Sequence, residues 1–121
     1  MEKIIDEVLN VFKDNLKAIK YSDNRYILTM PFFYNSGNPI TVGVVINSQD
    51  DYIITDMKDT FANLPDDKSA EFIKAKAQKI LDKYDINECE NEICIRCNKS
   101  NLLAVFNRFI HCIILIDNLI V

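Results

Sequence analysis

The chain reads as an α+β fold: a small antiparallel sheet of three strands plus a short fourth, packed with three helices in the order α-β-β-β-α-β-α. Three observations predict it. Apolar residues recur at helical spacing in three separate stretches, near the start, from Ser69 to Tyr84, and again after Asn101. Between the first two lie β-branched runs, Ile40 to Ile46 and Tyr52 to Asp56, joined by the polar segment Asn47 to Asp51, which has the composition of a hairpin loop. At 121 residues the chain matches one domain, residues 1–121, able to bury a core without disulfides or metal.

From Glu2 to Lys20, Ile5, Val8, Leu9, Phe12, Leu16 and Ile19 fall on one stripe, which predicts an amphipathic first helix. Ser22, Asp23 and Asn24 end it. Arg25 to Met30 is a first strand stopped by Pro31, and Asn35 to Pro39 is a turn in which Gly37 is best able to take positive φ. Met57 to Leu64 is one helical turn carrying Phe61 and Leu64 inward. Ser69, a capping residue type, starts a second helix that buries Phe72, Ile73, Ala77, Ile80, Leu81 and Tyr84. Glu92 to Cys97 alternates as a short fourth strand. The third helix, from about Asn101 to Asn118, is apolar around nearly its whole circumference, so it belongs in the core or lends one side to another surface. Its end, Leu115 with Leu119, Ile120 and Val121, is the candidate self-association face, most simply a homodimer.

Composition bounds function. Hydrophobic residues at 49% and charged residues at 26% describe a globular protein, and a net charge of −4 argues against a surface built to hold phosphates, so nucleic acid is an unlikely partner. No basic region followed by an apolar run opens the chain, and the apolar run Phe109 to Ile116, bracketed by Arg108 and Asp117, falls far short of the ~20 residues that cross a bilayer. A cytoplasmic protein without a membrane partner is expected.

The four cysteines, Cys89, Cys94, Cys97 and Cys112, have spacing that invites comparison with iron–sulfur loops and zinc knuckles. Their context argues otherwise. Ile93 to Arg96 are strand formers, and in a strand of period two Cys94 and Cys97 point to opposite faces. Cys112 lies in the apolar body of a helix, where cysteine serves as a small hydrophobe. No metal and no cofactor are expected. His111, the one histidine, is turned about 100° from its neighbour Cys112 on a helix, so the two cannot act as base and nucleophile. Asp50, Asp51, Asp56 and Asp59 bracket the third strand and suggest a divalent-metal site only weakly, since Asp50 and Asp51 suit a loop and Asp56 suits a turn cap. Lys74, Lys76, Lys79 and Lys83 make a solvated basic helix face that acidic neighbours offset. No catalytic residue is assigned.

Phe32, Phe33 and Tyr34 are the candidate partner-binding residues. Three consecutive aromatics in an extended segment must turn at least one ring outward; packing under the first helix is expected for two, leaving one for a protein target.

Pro31, Phe32, Phe33 and Tyr34, then Gly37 and Pro39 before an Ile-x-Val strand, then Tyr52 to Asp56, resemble a bacterial and phage domain-of-unknown-function family, number eighteen twenty-eight. Lys83 to Ile86 and Ile116 to Leu119 stand where that family has the end of its middle helix and its closing segment, so the resemblance runs from about Arg25 to Leu119. Lys58 and Asp59 replace the glycine-bearing turn that follows its Thr-Asp strand end, and the chain stops at Val121 where longer relatives continue. The resemblance brings no activity. It implies a setting in phages and mobile elements. With hydrophobic interaction surface and no catalytic constellation in the chain, the expectation is a small non-enzymatic factor that binds and modulates or inhibits a host defence protein. The alternative is a nucleic-acid-binding or metal-dependent nuclease-associated module using the lysines or carboxylates above.

Overall fold

The computed structural model describes residues 3–12, 17–64 and 69–119. In chain order these form α1 (Lys3–Phe12), β1 (Lys17–Ser22), β2 (Arg25–Phe33), β3 (Pro39–Ser48), β4 (Asp51–Thr55), α2 (Asp59–Ala62), α3 (Ser69–Lys83), β5 (Asn87–Cys89), β6 (Glu92–Cys97) and α4 (Leu102–Asp117). The α+β class and the antiparallel sheet stand as expected. The sheet is larger than expected, with six strands in the order β1-β2-β3-β4-β6-β5 and every neighbour antiparallel.

Two of the three differences concern strands added at the sheet edges. The first helix is described over Lys3–Phe12, and Lys17 to Ser22, expected to continue it, forms β1 against β2 with Ile19 opposite Ile27. Ser22 to Asn24 therefore turns a hairpin instead of breaking a helix. Asn87 to Cys89 is a strand of three residues, closed onto β6 through Glu90 and Asn91, both with positive φ. Finally, Met57 to Leu64 contains a separate short helix, α2, so there are four helices, not three. The stripe residues Leu9, Phe12 and Leu16, and the capping side chain of Ser69, lie outside the described side chains.

β2 runs through Pro31 to Phe33. Pro31 lies where the register with β3 is irregular, between Thr29 and Phe33, a place in a strand that tolerates a missing N–H. Alternate strand residues then define the core. Tyr26, Leu28, Met30, Val42, Val44, Ile54, Ile93 and Ile95 are buried and join Ile4, Ile5 and Val8 of α1, Ala77 and Leu81 of α3, and the interior residues of α4 in one cluster. α4 is the largest contributor, with Phe106, Phe109, Ile113 and Ile116 at 1% exposure or less. On the other side of the same strands, Ile27, Thr29, Val45 and Ile53 are half-buried. Gly43 sits in that outer layer because a Cβ there would come within 3.1 Å of the Thr55 methyl and 3.2 Å of the Met57 sulfur.

Candidate functional site

The end of β2 and the turn after it are held by side chains distant in sequence. Tyr34 accepts from and donates to its own turn, its N–H bonding the Asn38 carbonyl at 2.8 Å and its carbonyl taking the Gly37 N–H at 2.9 Å, with Gly37 at φ 97° as its sequence position predicted. The Tyr34 ring is buried, and its hydroxyl lies 3.2 Å from Thr60 Oγ1 in α2. Burial, aided by the nearby carboxylates of Asp56, Asp59 and Asp117, pushes the phenol far above its ordinary value, so it stays protonated. Asn35 gives its N–H to Asp117 Oδ2 at 2.8 Å and its side-chain amide to the Asp117 carbonyl at 3.0 Å, which ties the turn to the last residue of α4. Asn63 takes a hydrogen bond from the Asn38 amide at 2.9 Å and one from the Ser36 hydroxyl.

On this pinned turn Phe32 and Phe33 remain outside, at 39% and 67% exposure. Two packed rings and one exposed were expected; here one is buried, Tyr34 beside Thr60 of α2, and two are exposed. A tight turn fastened at Tyr34, Asn35 and Asn38 presents two aromatic side chains from a rigid base, which suits a binding surface because little order has to be created on contact.

Asp56 anchors the other side of α2. It is wholly buried at the end of β4, where Oδ1 accepts the N–H groups of Lys58 and Ile93, each at 2.9 Å, and Oδ2 accepts the Thr60 N–H at 3.2 Å. Burial raises its affinity for a proton, and those donors hold the rise back. Met57 and Lys58 both adopt left-handed backbone, at φ 55° and 69°. The Asp59 N–H closes that turn on the Asp56 carbonyl at 3.1 Å. Sequence reasoning identified Asp56 only as a turn cap; its bond to Ile93, 37 positions later, has no local signal.

The other acidic candidates are engaged in structure as well. Asp59 accepts from the Thr41 hydroxyl at 2.9 Å, Asp50 from the Lys99 N–H at 2.8 Å, and Asp51 forms a forked pair with Arg96 at 2.7 and 2.9 Å. Among the described residues, no three of His, Cys, Asp or Glu gather where they could hold a metal ion. Cys94 faces the outer layer and Cys97 the core, on opposite faces as the strand period requires. Burial raises the Cys97 thiol to about 11 and the Cys112 thiol to about 12, so both stay protonated and poorly reactive. His111 is exposed and sets its ring edge-on to Tyr84 at 5.9 Å, while Cys112 beside it is buried. Lys76 lies over the Phe72 ring at 4.5 Å, Lys83 over Tyr84 at 5.9 Å, and Lys74 reaches Asn91 at 2.9 Å.

The outer layer of the sheet opens into a groove of about 320 Å³ whose floor is Val45 and Ile53, with Arg25 and Lys58 facing Glu92 and Cys94 around it. A wider open cleft of about 610 Å³ lies between the start of α1 and the β3–β4 turn. Leu115 and Leu119 are half-buried at the end of α4, and Ile120 and Val121 lie outside the described residues. None of the described helices is long and apolar enough to cross a membrane.

Comparison with curated proteins and with solved structures finds no match. A family model does match, from Met30 in the middle of β2 to Ile116 in the last turn of α4, so α1 and β1 precede the matched stretch. With residues 30–116 covered, the chain belongs to the family described as Domain of unknown function DUF1828.

Proposed function

We propose that this chain is a non-enzymatic protein-binding factor that docks its target through Phe32 and Phe33. The observation that carries the reading is the pairing of two exposed phenyl rings with a turn pinned from three sides, by Thr60, Asn63 and Asp117. Large rigid aromatic side chains contribute most per residue at protein interfaces. Asp56 is engaged in a turn cap, Asp51 in an ion pair, Cys97 and Cys112 in the core, and Lys76 and Lys83 in ring contacts, which supports the reading over a nuclease or nucleic-acid module. The setting we attach to it, a phage or mobile-element protein in the cytoplasm that inhibits or modulates a host defence protein, rests on the family resemblance.

The test uses two equally exposed phenylalanines. Tagged protein is used to capture partners from host lysate, and Phe33→Asp is compared with Phe72→Asp, a residue 63% exposed on α3. Retention of a specific partner should fall at least about tenfold with the first substitution and be unchanged with the second. Equal retention by both variants sinks the aromatic surface.

A further inference from the structure

Strand β1 lies outermost on its side of the sheet, and five of its six residues are exposed. An edge of this length, roughly 20 Å at ~3.3 Å per residue, offers a row of free N–H and C=O groups to any extended chain. Its apolar residues are among the barest in the molecule, Ile19 at 63% and Tyr21 at 67% exposure. Ile19 stands opposite Ile27 and Lys17 opposite Thr29 on the outer layer, while Lys20 stands opposite Tyr26 on the core side. Among the described residues neither lysine has an ion-pair partner, and the one ion pair is Arg96 with Asp51. In a chain of net charge −4, this edge is therefore a local cationic seam, and the opposite edge of the sheet carries Glu88 and Glu90.

Charge decides between occupants. A second copy pairing β1 with β1 would bring four lysines into one seam, and like charges facing across strands are destabilising. An acidic segment meets the opposite condition. We infer that β1 captures an extended acidic segment of a partner protein as a seventh strand, with an acidic residue facing Lys17, an apolar one facing Ile19 and an acidic one facing Lys20. Main-chain hydrogen bonds supply the affinity of such additions and the alternating side chains supply the choice of sequence. This surface is separate from Phe32 and Phe33, so either reading stands or falls alone.

The probe is a short fluorescein-labelled peptide, Ser-Glu-Thr-Val-Glu-Val-Thr-Ser, followed by fluorescence anisotropy, with a control in which each Glu is Lys. The wild-type chain should bind the acidic peptide at least about tenfold more tightly than the basic one, and K17E/K20E should reverse that order. Both side chains are solvent-exposed, and an unchanged circular dichroism spectrum checks the fold of the variant. Addition of the acidic peptide should also slow amide hydrogen exchange in Lys17 to Ser22. No anisotropy change at millimolar protein, equal binding of the two peptides, or indifference to K17E/K20E overturns the inference. So does a wild-type dimer that K17E/K20E converts to monomer, since the occupant would then be a second copy.

Discussion

Asp56 shows how much one side chain can organise. Its carboxylate gathers N–H groups from the turn after β4, from α2 and from β6. An asparagine there keeps the shape but replaces one accepting oxygen with a donor, so at least one buried N–H loses its partner and a donor faces a donor. Asp56→Asn should lower the unfolding free energy by about 3 kcal/mol in urea titrations, whereas a loss under about 1 kcal/mol would show that water replaces the missing bond. Asp117 is the opposite case. It is 95% buried by difference from its 5% exposure, it ends α4 where the helix dipole disfavours a negative charge, and its Oδ1 has no partner. Burial raises its proton affinity, with the Asn35 N–H opposing. The sign follows: a raised folded-state value means the native protein holds more protons than the unfolded chain in the window above the ordinary carboxylate range, so stability from this group is full below that range and is lost as pH rises through the shifted value. Asp117→Asn keeps an acceptor for Asn35 and should flatten that decline in denaturation curves collected from mildly acidic to neutral pH. A wild-type curve that rises with pH across that window contradicts the assignment.

At the scale of elements, the connections carry strain that glycine would relieve. Among the described residues, five other than glycine have positive φ, namely Met57, Lys58, Asp85, Glu90 and Asn91, while Gly43 serves close approach instead. Asp85 ends α3 with the Ile86 N–H on the Leu81 carbonyl at 2.9 Å, a helix stop that most often uses glycine. Replacing Lys58 or Asp85 by glycine should raise stability by about 0.5–1 kcal/mol each, the relief of left-handed strain minus the entropy glycine adds to the unfolded chain. A loss on Lys58→Gly would mean that its side chain contributes more than its backbone costs. These positions also explain what was legible in the sequence. β3, β4, β6, α3 and α4 were, because the residues of each fit one period and not the other. β1 was not, because Lys17 to Ser22 continues the helical stripe of Ile5 and Val8 through Ile19, and two periods fit so short a stretch equally well. β5 is three residues long and becomes a strand only through its partner β6. Of the candidate site, the aromatic run was visible, but which ring turns inward depended on Thr60 and Asp117, which no local pattern ties to Tyr34 and Asn35.

For the molecule as a whole, the same asymmetry recurs: a core built against one face of a six-stranded sheet, and the proposed binding surfaces at its margins. The self-association face at Leu115 and Leu119 belongs to this scale. Leu115 on the last turn of α4 and Leu119 just after it are half-buried, so a twofold contact there remains our proposal, and Leu115→Glu should shift a dimer toward monomer in analytical ultracentrifugation. A wild type that sediments as monomer at tens of micromolar removes it.

The position of β4 between β3 and β6 has a consequence for synthesis on the ribosome. Through the time it takes to make α2, α3 and β5, one edge of β4 has no strand beside it and the Asp56 carboxylate lacks the Ile93 N–H. A nascent chain can therefore assemble β1 to β4 as a meander, but it cannot close the centre of the sheet until β6 has left the exit tunnel. During that interval the exposed flank of Tyr52 to Thr55 is the place where two growing chains on one messenger would pair with each other.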